Sequence, residues 1–380
     1  MKQIKNIIAI LFLLFSITSC VEKYWPDITK YENILVVDGM LTNGDEPVVV
    51  KLSVSSAINN LELTPVSGGE LYITDEDQIK TYLIEMEPGT YQVHDSFFRG
   101  NVGNSYQLHI LLPNGRNYIS DICRLTSPSP IDSLYGLLES PEYISDKKEK
   151  HGYQFYIDNH SNTADTCYYL WKLSHTYEYK STFDIDYIWD GAIIPYPDPD
   201  SLRTCWRTTN VNEIFTYSTE YLDPPVIINF PLNFISTKTK MLSIKYSLLV
   251  KQLSISEDAF NFWDALRQQD IEQGNLYSQQ PIQIVGNIHN VNNANEPVLG
   301  YFTIAGVTEK RIFVRRPGLR FYYDICEPDF EALAYINFSN PEFWPIYLTI
   351  IPDRGLAGAA QEVCFDCRLE GGNIIPPDFW

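Results

Sequence analysis

The residues whose spacing could do chemistry are Cys364 and Cys367, in the terminal run CFDCRLEGGNIIPPDFW. A C-x-x-C serves as half a zinc site, as a redox pair, or as an anchor for disulfides. Zinc takes clustered Cys or His ligands. Here no second C-x-x-C occurs, although Cys326 could contribute, and His94, His109, His151, His160, His175 and His289 form no H-x-x-H or HExxH. A redox pair sits at a helix N-terminus in a thioredoxin-like βαβ pattern, where the dipole lowers the thiol pKa. The surroundings of Cys364 read as strand and loop, and Asp366 disfavours a thiolate. The structural staple is the expectation.

Counting supports it. Cys20 is set aside below as a lipid attachment point, which leaves Cys123, Cys167, Cys205, Cys326, Cys364 and Cys367, an even set that suits an oxidising compartment. Six cysteines allow 15 pairings. An extended CFDC would point its cysteines to opposite faces and so to different partners. We expect Cys167 to join Cys205 across the loop PYPDPDS, Cys326 to join one of the terminal pair, and Cys123 the other.

Other constellations are weaker. DIDYIWDG (184–191) suggests calcium, but an EF-hand loop takes acids at its first, third and fifth positions and Gly at the sixth. Asp190 falls seventh and Gly191 eighth, which reads as a hairpin turn. Asp198 and Asp200, or Asp75 to Asp77, have turn neighbours that explain them without a glycosidase. Tyr177, Tyr179, Tyr187 and Trp189 could stack on sugars, yet sheet packing accounts for them. G-x-S-x-G and Gly-rich phosphate loops are absent from the sequence. No catalytic, cofactor or metal residue is assigned, and the expectation is a protein that is not an enzyme.

The first twenty residues carry Lys2 and Lys5, an almost wholly apolar run from Ile7 to Ile17, and then Thr18-Ser19-Cys20. About a dozen apolar residues fall short of the roughly 20 that span a bilayer. The pattern is a signal peptide ending in a lipobox, with Cys20 receiving acyl chains and anchoring the mature protein. Residues 21–33 then form a short tether.

Losing Lys2 and Lys5 and no acid takes the formal charge from −20 to −22, a field that repels nucleic acid and anionic headgroups. With 26 Tyr and 19 Phe the chain is too rich in β-forming side chains to be disordered. The elements that must position the cysteines are therefore strands. ILVVDGML and PVVVKLSVS flank Asn43-Gly44 as a hairpin. Residues 68–74, 81–86, 91–94 and 105–120 continue with short strands at sandwich spacing. TSPSPIDS (126–133) marks a boundary near 127. Beyond it, 153–159, 167–181, 281–288, 297–306, 310–316 and 343–351 read as strands. Residues 240–254 read as a half-buried strand alternating Leu242, Ile244, Tyr246 and Leu248. One helix is expected over 257–273, with Ser256 as N-cap, Gly274 after its end, and Ala259, Trp263 and Leu266 inward.

The run from Ala259 to Arg316, together with ILVVDGMLTN, RTCW (203–206), SLLVKQLSIS and the CFDCRLEGG…PDFW terminus, resembles the domain-of-unknown-function 4249 family of Bacteroidota lipoproteins. The resemblance implies an outer-membrane lipoprotein, often encoded beside a TonB-dependent receptor, with an N-terminal β-sandwich and no assigned activity.

The expectation is an all-β chain: an immunoglobulin- or transthyretin-like sandwich over 34–127, then a larger β-rich domain over 128–380 carrying the helix 257–273. Its role is that of a lipid-anchored accessory or binding component of a TonB-dependent transporter. The alternatives are a glycan- or peptide-binding module in nutrient capture and a hydrolase with a dispersed site.

Overall fold

The computed structural model describes residues 34–55, 63–95, 98–139, 151–161, 166–273, 284–359 and 361–380. The leader 1–20 with Cys20, the tether 21–33, Gly274 and residues 281–283 lie outside them. The chain is mainly β, 48% strand against 11% helix. Its first strands are β1 (Leu35–Thr42), β2 (Val49–Val54), β3 (Thr64–Pro65), β4 (Glu70–Thr74), β5 (Lys80–Glu87), β6 (Thr90–Val93), β7 (Ser105–Leu111), β8 (Asn117–Ser120) and β9 (Cys123–Arg124). Next come β10 (Ile131–Glu139), β11 (Gly152–His160), β12 (Tyr168–Lys180), β13 (Tyr187–Trp189), β14 (Ile193–Pro195), β15 (Thr204–Asn210), β16 (Phe215–Ser218), β17 (Val226–Ser236) and β18 (Lys245–Ile255). Helix α1 (Glu257–Gln273), β19 (Ile288–Asn290), β20 (Val298–Arg315), helix α2 (Ala332–Tyr335), β21 (Ile346–Ile351) and β22 (Gly355–Ala357) complete the order.

The opening hairpin pairs Leu35 with Val54 through Met40 with Val49 around the Asn43-Gly44 bend. Period-two alternation buries Leu35, Val37 and Leu41 and leaves Asp38 exposed on the other face. One hydrogen-bonded path then runs β15-β12-β18-β20-β1-β2-β6-β5-β4-β7-β8-β19. Its hinge is β20, which the sequence reads as two strands and which is one strand of 18 residues. Its first half pairs in parallel with β1, and its second half pairs antiparallel with β18. Gly306, between the halves, allows a close approach: a Cβ there would lie 2.3 Å from the Thr126 carbonyl oxygen.

Strands β1, β2 and β4–β8 all contribute to one core, so the sheet curls around it. That core is completed by Ile288, Val298, Phe302 and Ile304, far beyond residue 127. Asn287 helps to close the curl: its amide donates to the Phe302 carbonyl (3.1 Å) and its Oδ1 accepts from the Phe302 N–H (2.9 Å). A side chain there satisfies backbone groups that a neighbouring strand would otherwise pair.

A second core lies between the three-stranded sheet β10-β11-β17 and one face of β12 and β18, where Phe155, Ile157, Leu232 and Ile235 meet Trp171, Leu173, Tyr246 and Leu248. On the opposite face α1 covers Leu170, Leu253 and Ile255. Strand β18 is therefore buried on both faces, which corrects the half-buried reading of 240–254. Lys240–Leu242 is a 3-10 turn and the strand begins at Lys245. The Ser256 hydroxyl accepts from the Ala259 N–H (3.3 Å) and caps α1. Phe262 is buried beside Ala259, with Trp263 and Leu266 packed at the rim.

Candidate functional site

Helix α1 covers only part of its face of the sheet. By alternation, the face that carries Leu170 and Leu253 continues to Lys172 on β12 and Lys251 on β18. Register places Lys172 opposite Lys251, Lys251 opposite Glu309 on β20, and Asp38 on β1 opposite Lys51 on β2. These five residues and Glu46 ring a cleft of about 390 Å³ whose apolar lining is Met40, Pro47, Val49, Leu253 and Val307.

The charges differ in how they are held. Lys251 is ion-paired both to Glu46 and to Glu309, the latter at 3.3 Å. Lys172 lines the open cleft with its ammonium 5.6 Å from the Trp263 ring centroid, a long cation–π contact that marks the helix end of the site. Among the described residues no ion pair joins Lys172, Lys51 or Asp38 to another side chain. The protein walls around the Lys172 ammonium push its pKa down; Asp38 and Glu46 oppose that shift, and Lys251 and Lys51 reinforce it. A row of like charges opposite one another is unfavourable in a sheet, so the site holds cations without a full set of internal counter-ions.

The cysteines form a separate structural clasp. Cys205 is bonded to Cys367 and Cys326 to Cys364, with Cα separations of 5.7 and 5.8 Å. The expected Cys167–Cys205 bridge is not made. Cys205 lies opposite Tyr179 on β12, whereas Cys167 precedes the other end of that strand. Twelve residues of strand separate them, roughly 40 Å. The expected bridge from Cys123 to the terminus fails for a similar reason, because Cys123 packs on the first core while Cys367 belongs to the second. Cys123 and Cys167 keep their thiols, and burial pushes the Cys123 thiol pKa up. The CFDC segment is also not extended. It forms two 3-10 turns, Glu362–Cys364 and Cys367–Glu370, with Asp366 capping the second through the Arg368 N–H (2.9 Å).

The histidines go to separate places. His175 is buried between the Thr209 hydroxyl (2.5 Å) and the Tyr246 hydroxyl (3.2 Å). His160 meets Asp132 at 2.8 Å and His289 meets Asp121 at 3.0 Å. His109 stacks on Tyr72, His151 faces the Tyr322 ring, and His94 is exposed just after β6. Among the described residues no group of three or more His, Cys, Asp or Glu gathers as a metal ligand set. DIDYIWDG forms the β13–β14 hairpin, with Gly191 at φ +77°. Two of its acids have partners elsewhere in the fold: Asp184 pairs with Arg203 (2.7 Å) and Asp186 accepts from the Ile350 N–H (2.6 Å). Asp75 holds its own turn by accepting from Asp77 and Ile79. Tyr177 and Tyr179 lie in the second core, and Trp189 meets Trp344 edge-on, so these aromatics pack the fold.

Sequence reasoning missed the cleft. Its residues come from five strands and the β1–β2 turn and match no motif. The one signal was a lysine inside each of two apolar runs, YYLWKLSH and SLLVKQLS.

A family model described as Domain of unknown function (DUF4249) matches residues 21–311, well over half of the chain. No curated protein matches the sequence. Among the described residues no helix is long and apolar enough to cross a membrane.

Proposed function

We propose, from the premise that this chain belongs to the DUF4249 family, that it is an outer-membrane lipoprotein held at Cys20 and serves as a non-enzymatic accessory or binding component of a TonB-dependent transporter. The observation that carries this reading is the leader, with Lys2 and Lys5, a short apolar run, and Thr18-Ser19-Cys20. Acyl chains on that thiol make a stable anchor.

The cleft favours a second reading, capture of a nutrient peptide or glycan. It combines an apolar lining with a few convergent polar groups, the usual form of a small-ligand site.

Metabolic labelling with a palmitate analogue tests the anchor: Cys20→Ala loses the label and leaves the membrane fraction. Affinity purification from outer membranes in mild detergent tests the partner. Recovery without any transporter, under conditions that preserve known receptor complexes, overturns the accessory role. Protease shaving of intact cells assigns the membrane face.

A further inference from the structure

We infer that the cleft framed by the β1–β2 hairpin and strands β12, β18 and β20 binds a zwitterion, a free amino acid or short peptide with an apolar side chain, whose carboxylate meets Lys172 and Lys51 and whose ammonium meets Asp38. This rests on the reading of the protein as a binding component and names the ligand class of that site.

The first support is the charge inventory. The lining holds three lysines and three acids. Lys251, Glu46 and Glu309 satisfy one another. What is left is Lys172, Lys51 and Asp38, two cations and an anion without an ion pair among the described residues, with Asp38 opposite Lys51 in register and Lys172 three strands away from β1. A carboxylate entering beside Lys172 separates it electrostatically from Lys251, its neighbour in register. Charge-assisted hydrogen bonds of that kind are about twice as strong as neutral ones.

The second support is the field of the molecule. At a formal charge of −20 the protein repels a purely anionic ligand on approach. A zwitterion carries no net charge and brings a group for Asp38 as well.

The third is the sheet. Where they line the cleft, strands β1, β2 and β18 are hydrogen-bonded to a neighbour on each side. A peptide cannot join these three as an extra strand. It is recognised by its charged ends and by a side chain laid on Met40, Val49, Leu253 and Val307.

Calorimetric titration of the full-length protein in mild detergent tests the assignment, with leucine and Ala-Leu-Ala as probes. Tighter binding of one or the other separates amino acid from peptide. N-acetylation or C-amidation of the tripeptide is expected to weaken binding by about tenfold each. Lys172→Met is expected to weaken the free peptide to a similar extent and to abolish discrimination against the C-amide. Asp38→Asn should abolish discrimination against the acetylated form. Equal binding of capped and free peptides overturns the assignment, as does no binding of either probe at millimolar concentration by protein with its native melting transition. Should Lys172→Met fail to fold, Lys51→Met and Asp38→Asn carry the same comparison. Palmitate labelling is independent of these titrations. A labelled protein that ignores both probes refutes the ligand class alone, and an unlabelled protein that binds them refutes the anchor.

Discussion

His175 shows how a side chain that looks like a candidate base becomes a core residue. Alternation along β12 turns it inward, Thr209 and Tyr246 take both ring nitrogens, and burial, with a contribution from Arg207, lowers its pKa. The folded protein therefore holds it neutral while the unfolded chain titrates near the ordinary histidine value. As pH falls the unfolded state binds the proton first, so stability rises with pH between the lowered folded pKa and that ordinary value. The contribution is complete above the ordinary value and is lost as pH drops through it. His109, lowered by burial and by Lys80, acts with the same sign. Urea melts should show a lower midpoint at about pH 5 than at about pH 7, and the difference should shrink in His175→Gln and shrink again in the double variant with His109→Gln. An unchanged difference would remove histidine as its source. Gln252 is the second residue-scale case. Fully buried, it accepts from the Trp171 indole (2.9 Å) and the Asn159 amide (2.8 Å) and donates to the Ser129 carbonyl (3.0 Å). Gln252→Leu leaves all three without their partner, and thermal melts should record a loss of about 3 kcal/mol.

At the scale of elements, β20 depends on a backbone that only glycine permits. Gly300 has φ +89° and a Cβ there would sit 1.9 Å from the Val37 carbonyl oxygen, inside the parallel pairing with β1. Gly300→Ala should cost about 1–3 kcal/mol in denaturant unfolding. Gly318→Ala, with nothing within 4 Å, should change stability by no more than about 0.5 kcal/mol. Equal effects would mean that the strand shifts to absorb the methyl group. The terminal clasp is the other long-range element. The Cys205–Cys367 bond closes a sequence separation of 162 residues, and removing it as Cys205→Ser/Cys367→Ser should lower stability by about 2–5 kcal/mol in non-reducing melts. Local signals carried what they could. The Asn43-Gly44 hairpin, the strands from Glu70 to Leu111 and the capped helix from Glu257 all follow from period, turn and cap. The Cys205–Cys367 pair and the row Lys172, Lys251, Glu309 depend on which strands lie side by side. That choice is made by non-local pairing, β1 with β20 above all, and no window along the chain contains it.

For the whole molecule, the boundary near residue 127 marks a change of core, since Leu125 belongs to the first and Ile131 to the second, but not an independent unit. A fragment over 34–127 keeps β1 to β9 and loses Ile288, Val298, Phe302 and Ile304 from its interior, the Asn287 bonds, and the strand that pairs with one edge of β1. Burying a large apolar side chain contributes about 1.5–3 kcal/mol, so the four missing ones amount to about 6–12 kcal/mol. A domain's entire stability is about 5–15 kcal/mol. The fragment should therefore show no cooperative melt by circular dichroism, whereas one extended to include 284–316 regains the missing wall of the core. The same continuity predicts how the intact protein unfolds. Strand β20 carries hydrogen bonds of both cores along one backbone, so opening one half frees the end of the strand that the other half pairs with. Calorimetry of the full chain should give one transition whose calorimetric and van't Hoff enthalpies agree. Two resolved transitions, or a sigmoidal melt from the 34–127 fragment alone, would show that the first core closes without β20.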